Sequence, residues 1–284
     1  MNHSYQVLIH AEPKAFTQAV QSFLEAHEAE NGLFLGVLAL LKTDPPSTTV
    51  FMTEVRQGQD IVAAAIYRDR NLIVTQGPDE VWPEVASSLK DKAIDIPGVV
   101  GPAVQSERMA QEWAQVRRCK FRLAMDQRLY ILAEVIWPEG IPGKAKLVEE
   151  HDVANLATYI EGFYRDAIPW EMPSKEQILE NALGRIPAKM TYFWEVNGES
   201  KAMAALSRPS GRGITINAVY TPIEHRKRGY ATALVAAISQ EGLNRGKEFC
   251  VLYTDLTNPT SNSIYQKVGY TPVCDSRNYR FDYG

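Results

Sequence analysis

The spacing of apolar positions is clearest in the second half of the chain. Lys146 to Glu149 is a short strand candidate. Val153, Leu156, Ala157, Ile160 and Tyr164 then recur at helical spacing within His151 to Asp166. Ser174 followed by Gln177 has the form of a capping box, in which the serine hydroxyl and the glutamine side chain satisfy otherwise orphan amides. It predicts a second helix ending near Gly184. Strands follow. Thr191 to Val196 and Lys201 to Ser207 flank Asn197-Gly198, which supplies the positive φ angles of a type I′ hairpin turn. Pro209 to Gly213 is a second turn, leading into a strand from Ile214 to Tyr220. Gly229 to Asn244 then places Ala231, Leu234, Val235, Ile238 and Gly242 on one helical face, with Gly246 as C-cap. A strand (Phe249 to Leu256), a short helix (Thr260 to Val268, closed by Gly269) and a last strand pair complete the order β-α-α-β-β-β-α-β-α-β.

The first half gives a similar, noisier string. Pro13 suits a helix start, with Phe16, Val20, Phe23, Leu24 and His27 as the inner face. Leu33 to Leu41 fits either a strand or a buried helix. Thr49 to Arg56 and Asp60 to Tyr67 flank Gln57-Gly58 as a hairpin, and Asn71 to Thr75 is a third strand. Helices are expected around Glu80 to Ala93 and Ala103 to Val116. Phe121 to Met125 and Arg128 to Ile136 form a closing hairpin. Between the halves, Trp137 to Gly143 gathers Pro138, Gly140, Pro142 and Gly143, the breaker cluster of a linker. The pattern is one architecture used twice, a repeat of fold rather than of residues.

Composition narrows the classes. A length of 284 residues suits about two domains. Thirty basic against 34 acidic residues leave a net charge of -4, which argues against nucleic-acid binding or a polybasic membrane anchor. The longest apolar run, Leu33 to Leu41, is too short to cross a bilayer, and the opening Met1-Asn-His-Ser-Tyr lacks the form of a signal peptide. Three cysteines (Cys119, Cys250, Cys274) without CxxC spacing encode neither a disulfide framework nor a zinc site. The expectation is a soluble cytoplasmic protein without a metal.

The candidate chemistry lies where the strand ending at Tyr220 passes through Thr-Pro-Ile-Glu-His-Arg-Lys-Arg-Gly into a helix. A helix start presents unpaired N–H groups and a partial positive charge, which suits an anion. Arg226, Lys227 and Arg228 surround that mouth, and Gly229 and Ala231 leave room for close backbone approach. A pyrophosphate fits such a site. Neither GxxxxGK[ST] nor GxGxxG is present. The other reading of three basic residues in a loop is a solvated surface.

A second segment, Asn258-Pro-Thr-Ser-Asn-Ser-Ile-Tyr-Gln-Lys-Val-Gly-Tyr270, weighs between the two. Together with Arg226-x-x-Gly229-x-Ala231 it resembles the GCN5-related N-acetyltransferase (GNAT) superfamily. The first segment matches the R/Q-x-x-G-x-G/A loop for acetyl-CoA, the second the N-x-x-A/S-x-x-x-Y-x-K-x-G-F/Y helix and strand. The resemblance covers the chain from Lys146 to its C-terminus, while the first half matches in element order alone. It implies a mixed α/β (α+β) fold of two GNAT-like domains in tandem, each a mostly antiparallel central sheet with helices on both faces. The domains would be a degenerate copy without cofactor loop over 1–140 and a catalytic copy over 144–284.

Residue by residue, the resemblance implies that Ala218, Val219 and Tyr220 offer backbone groups to the pantetheine arm, one N–H there polarising the thioester carbonyl. Arg226, Lys227, Arg228, Gly229, Tyr230, Ala231 and Thr232 would hold the diphosphate, and Asn258 the cofactor arm. Tyr265 would be the general acid to the leaving thiolate; as a lone tyrosine on a short helix it equally suits packing. A phenol near pKa 10 donates to a thiolate near 8.5 at a cost of roughly 2 kcal/mol. Freeing an alkylamine near 10.4 costs about 4 to 5 kcal/mol at neutral pH, so a base or water relay is required. Glu195 and Asp255 are candidates, and both equally suit exposed strand carboxylates. Tyr164, Trp170, Tyr192 and Trp194 suit either a cage for a cationic or aromatic acceptor or, for the last two, core packing.

In the first half the corresponding stretch is Gln76-Gly-Pro-Asp-Glu-Val-Trp-Pro83, with two acids where a phosphate would sit. That copy is expected to have lost the cofactor and to help close the acceptor site. The function implied is an acetyl-CoA-dependent N-acyltransferase acting on a primary amine of a small molecule or peptide by direct attack in a ternary complex. The alternative is a non-catalytic acyl-CoA sensor or interaction module.

Overall fold

The computed structural model describes residues 4–43 and 50–284. The opening residues Met1 to His3, and Thr49 as the expected start of the first hairpin, lie outside the described residues. By its internal contacts the chain forms two compact units. The first holds Met1–Leu129, Thr254–Thr257 and Val273–Gly284; the second holds Tyr130–Tyr253 and Asn258–Pro272.

The first unit runs β1 (Tyr5–Ile9), α1 (Pro13–Ala26), α2 (Gly32–Thr43), β2 (Phe51–Gln57), β3 (Asp60–Tyr67), β4 (Leu72–Val74), α3 (Trp82–Asp91), β5 (Gly98–Pro102) and α4 (Ala103–Arg117), then enters β6 (Lys120–Leu132). Its sheet has the order β1-β2-β3-β4-β5 and is extended by the last strand of the chain, β12 (Thr271–Asp282). β12 pairs antiparallel with β5 from Ser276 opposite Pro102 to Arg280 opposite Gly98. Strand alternation sorts the residues onto two faces. Phe51, Val55, Ala63 and Ala65 pack with Trp82, Val85, Met109 and Trp113 of α3 and α4. Met52, Ala64 and Ile66 pack with Phe16, Val20, Phe34 and Leu38 of α1 and α2. The ambiguous run at Leu33 is thus a buried helix.

Several expectations fail here. His27, assigned to the inner face of α1, is exposed, because the helix ends at Ala26 and His27 falls outside its period. The closing hairpin is instead the single strand β6. No residue within it takes a positive φ, so nothing turns the chain at Asp126-Gln127. The last strand pair is likewise one strand, β12. Its polar stretch is held by ion pairs rather than folded into a turn: Asp275 accepts from Arg128 Nε at 2.6 Å, and Arg277 donates to Glu107 at 2.7 Å. Strands β1 and β5 were not anticipated. In β5 the breakers Gly98, Gly101 and Pro102 mask the signal.

The second unit repeats the order: β7 (Lys144–Leu147), α5 (Val153–Ala167), α6 (Lys175–Arg185), β8 (Thr191–Val196), β9 (Glu199–Ser207), β10 (Gly213–Tyr220), α7 (Tyr230–Asn244), β11 (Phe249–Asp255), α8 (Pro259–Val268) and the start of β12. Local signals behave as expected. Ser174 Oγ accepts from the Gln177 amide at 3.3 Å while the Ser174 amide donates to Gln177 Oε1 at 2.9 Å. Asn197 and Gly198 take φ values of 51° and 81° between β8 and β9. The sheet order is β11-β10-β9-β8-β7, with only the β10–β11 pair parallel. Tyr192, Trp194, Ile214, Ile216 and Leu252 meet α7 on one face. Phe193, Met203, Ala218 and Tyr220 meet Leu156, Tyr159 and Ile178 of α5 and α6 on the other. Each unit is therefore a mostly antiparallel sheet clad by helices on both faces.

Residues 137–143 are tied to the second unit. Trp194 Nε1 donates to the Pro142 carbonyl at 2.9 Å, and Ile141 packs against the core under α7.

Candidate functional site

Strand β10 organises the site. It pairs in parallel with β11 at Gly213, Ile214 and Thr215, opposite Phe249, Cys250 and Val251; residues 216–220 then continue with β9 alone. Two neighbouring strands that pair at one end and part at the other leave a cleft between their far ends. Against β9, the register passes from Asn217 opposite Ala205 directly to Tyr220 opposite Met203, so Ala218 and Val219 form a bulge. Ala218 holds φ at 50°, a conformation an alanine adopts only when its surroundings impose it. The bulge turns backbone groups out of the ladder beside the cleft.

The chain then crosses a short 3-10 turn (Ile223–His225) to the basic loop. Lys227 and Gly229 take φ values of 62° and 80°, and reversals of this kind aim successive amides to one side. No side chain caps α7 at Gly229. Its carbonyl receives the Ala233 amide at 3.0 Å, which leaves the amides of Tyr230, Ala231 and Thr232 as the helix's outward-facing donors. Arg226 is partly committed: Nε donates to the Thr221 carbonyl at 3.0 Å and Nη2 to Asp166 at the end of α5. Lys227 and Arg228 are exposed. Gly229 does not leave an open space on its side-chain face. A Cβ there would stand 2.6 Å from Ile141 Cδ1, so the glycine serves the backbone reversal and admits Ile141.

The C-terminal part of this arrangement matches a known family. The model of the FR47-like proteins matches residues 196–280, from the end of β8 into β12. Among solved structures, a GCN5-related N-acetyltransferase from Sphaerobacter thermophilus is 15% identical, with a TM-score of 0.63 over 96% of this chain and 95% of its own. A GNAT-family acetyltransferase from Colwellia psychrerythraea is 9% identical, with a TM-score of 0.59 over 98% and 100%. A tandem GNAT protein from the clavulanic acid biosynthesis pathway is 13% identical, with a TM-score of 0.54 over 99% of each chain. The fold of the chain is that of these GNAT proteins. At these identities the likeness is one of architecture. A comparison with curated sequences finds no match.

Within this GNAT fold, Tyr265 lies on α8 and is 7% exposed, its ring edge-on to Tyr270 at 6.1 Å. Burial alone pushes its phenol up to about 12. Asn258 precedes α8 and is exposed; its carbonyl accepts from Asn262 Nδ2 at 2.8 Å. Tyr220 packs edge-on against Tyr159 at 5.9 Å, and its hydroxyl receives Arg165 Nη2 at 3.4 Å.

The two carboxylates weighed as bases are engaged. Glu195 pairs with Lys146 at 3.7 Å, and Asp255 accepts from the amide and hydroxyl of Thr257, both at 2.7 Å. The four aromatics do not share one face. Tyr192 and Trp194 are buried under α7, where Tyr192 receives Arg245 Nη2 at 2.7 Å. Tyr164 packs on the opposite side with α5, edge-on to Phe163 at 5.9 Å, and Trp170 is exposed in a 3-10 turn. Core packing accounts for the strand pair.

Sequence reasoning missed Arg165 and Asp166, which tie the end of α5 to Tyr220 and Arg226. It also missed Arg208 and Asn217, whose buried polar atoms Nε and Oδ1 have no hydrogen-bond partner among the described residues. Arg208 was legible only as a cation followed by Pro209 at the end of an apolar strand.

Proposed function

We propose that this chain is an acetyl-CoA-dependent N-acyltransferase acting on a primary amine in a ternary complex. The observation that carries the reading is the bulged, diverging β10 set beside the uncapped start of α7. A coenzyme A diphosphate suits the amides of residues 230–232, with Lys227 and Arg228 close by in the loop and Asn258 beside the arm. The thioester supplies the activated acyl group. The C–N bond to the amine forms as the C–S bond breaks, the amine loses a proton, and the departing sulfur gains one.

The chain's own residues have separate tasks in this scheme. The backbone at Ala218–Tyr220 directs the acyl carbonyl and donates to the oxygen where negative charge develops. Tyr265, kept protonated by burial, donates to the sulfur. With Glu195 and Asp255 engaged, a water relay is the simplest path for the amine proton. The first unit fits a copy that has lost this site, because Asp79 and Glu80 stand in the 3-10 turn before α3 and would repel a diphosphate.

The experiment is calorimetry with acetyl-CoA together with an amine screen that follows release of coenzyme A thiol. Lys227→Glu with Arg228→Glu changes two exposed residues and should weaken acetyl-CoA binding more than tenfold at low salt, and less at high salt. Unchanged affinity would remove the loop from the site. Binding without thiol release for any amine would favour the sensor reading.

A further inference from the structure

The last turn of α5 holds both ends of the segment that joins the bulge of β10 to the basic loop. At the strand end, Arg165 Nη2 donates to the Tyr220 hydroxyl at 3.4 Å. Gly162, one turn earlier, admits the same ring, since a Cβ there would lie 2.5 Å from Cζ. At the loop end, Arg226 Nη2 donates to Asp166 Oδ2, while Arg165 Nε donates to Asp166 Oδ1 at 3.2 Å. One carboxylate thus joins a guanidinium of its own helix to a guanidinium of the loop.

Asp166 stands against its local preference. A carboxylate in the last turn of a helix meets the partial negative charge of that end, which is unfavourable. A residue that breaks a local rule commonly answers to a tertiary contact, and here the contact is Arg226. That guanidinium is fixed at a second point, because Nε donates to the Thr221 carbonyl at 3.0 Å. Arg226 therefore spans the 3-10 turn Ile223–His225, binding the residue before it and α5 together. The next residue, Lys227, takes φ of 62°, which a lysine keeps only when its surroundings impose it. No side chain caps the start of α7 beyond it, so the hold on this loop comes from the Arg226 side.

We infer that Asp166 is a positioning residue for the coenzyme. Through Arg226 it sets the loop whose amides meet the diphosphate. Through Arg165 it sets Tyr220, where the bulged strand would hold the thioester carbonyl. This rests on the acyltransferase reading and adds to it that α5 fixes the span between the two ends of the bound coenzyme. A carboxylate acting by its charge alone would repel a diphosphate, so the two roles differ in sign.

The test is calorimetry with acetyl-CoA on the parent, Asp166→Ala, Asp166→Asn, Arg226→Ala and the Asp166→Ala, Arg226→Ala double variant. Asp166→Ala should bind about three- to tenfold more weakly, as for loss of a partly exposed, charge-assisted pair. Asp166→Asn, which keeps an oxygen for Arg226, should recover part of the loss. In the Arg226→Ala background, Asp166→Ala should weaken binding no further, because the carboxylate acts through that arginine. Thermal melting confirms that the variants fold. Unchanged or tighter binding in Asp166→Ala, or an equal loss with and without Arg226, overturns the inference and leaves the coenzyme site in place. If the parent does not bind acetyl-CoA, the acyltransferase reading fails on its own, and hydrogen exchange still decides for Asp166. The amides of residues 225–229 should then exchange about three- to tenfold faster in Asp166→Ala than in the parent, and equal rates overturn the positioning role.

Discussion

Replacing Tyr265 by Phe removes one hydroxyl and leaves the ring that packs against Tyr270. In this site the phenol stands at about 12, which is about 3.5 pK units above a free thiol, so complete proton transfer to a thiolate is uphill by about 5 kcal/mol. The tyrosine therefore acts mainly by hydrogen-bonding the sulfur as its charge grows, with the proton following late. Loss of such a bond to a charged atom is worth about 1.5 to 3 kcal/mol, and full general-acid assistance somewhat more. Turnover of Tyr265→Phe should fall by about 10- to 1000-fold in a thiol-release assay, while acetyl-CoA affinity by calorimetry stays near the parent's. Equal turnover would refute the argument. The same burial sets a pH dependence. Below pH 10 the phenol is neutral in both folded and unfolded chains. Between 10 and about 12 the unfolded chain ionises first, so the stability due to this group is lost as pH rises through that window, by about 3 kcal/mol in all. Denaturant titrations at pH 9 and 11.5 should show a smaller alkaline loss for Tyr265→Phe than for the parent. Equal losses would mean that the phenol is not held neutral by burial.

Three further outcomes follow from packing and local geometry. Gly162 on α5 faces Tyr220, and an added Cβ would lie 2.5 Å from Cζ of that ring; Gly162→Ala should lower both melting temperature and turnover, since Tyr220 ends the bulged strand. Gly198→Ala meets nothing within 4 Å, yet φ of 81° penalises any side chain, so a stability loss of about 1 kcal/mol without loss of acetyl-CoA binding is expected from denaturant titration. Ser174→Ala removes the cap of α6 and should cost about 1 kcal/mol in the same titration; no change would mean that the cap contributes nothing there.

The sequence by itself determined whatever depends on near neighbours. Helical spacing, the Ser174–Gln177 box, the Asn197-Gly198 turn and the loop running into α7 are set by residues within one or two turns of each other, where propensity and capping act directly. The two halves read as similar successions of elements for that reason, although β1, β5 and the unbroken β6 of the first half escaped the reading. Tertiary structure decided the rest, because strand partners and side-chain environments depend on residues far apart in the chain. Only folding shows that β12 completes the sheet of the first unit, that Tyr192 and Trp194 face α7, and that Ala218 is driven to a positive φ. Only there do Arg208 Nε and Asn217 Oδ1 stand out as buried atoms without partners among the described residues, since an unmet hydrogen bond is a property of the surroundings and not of the residue.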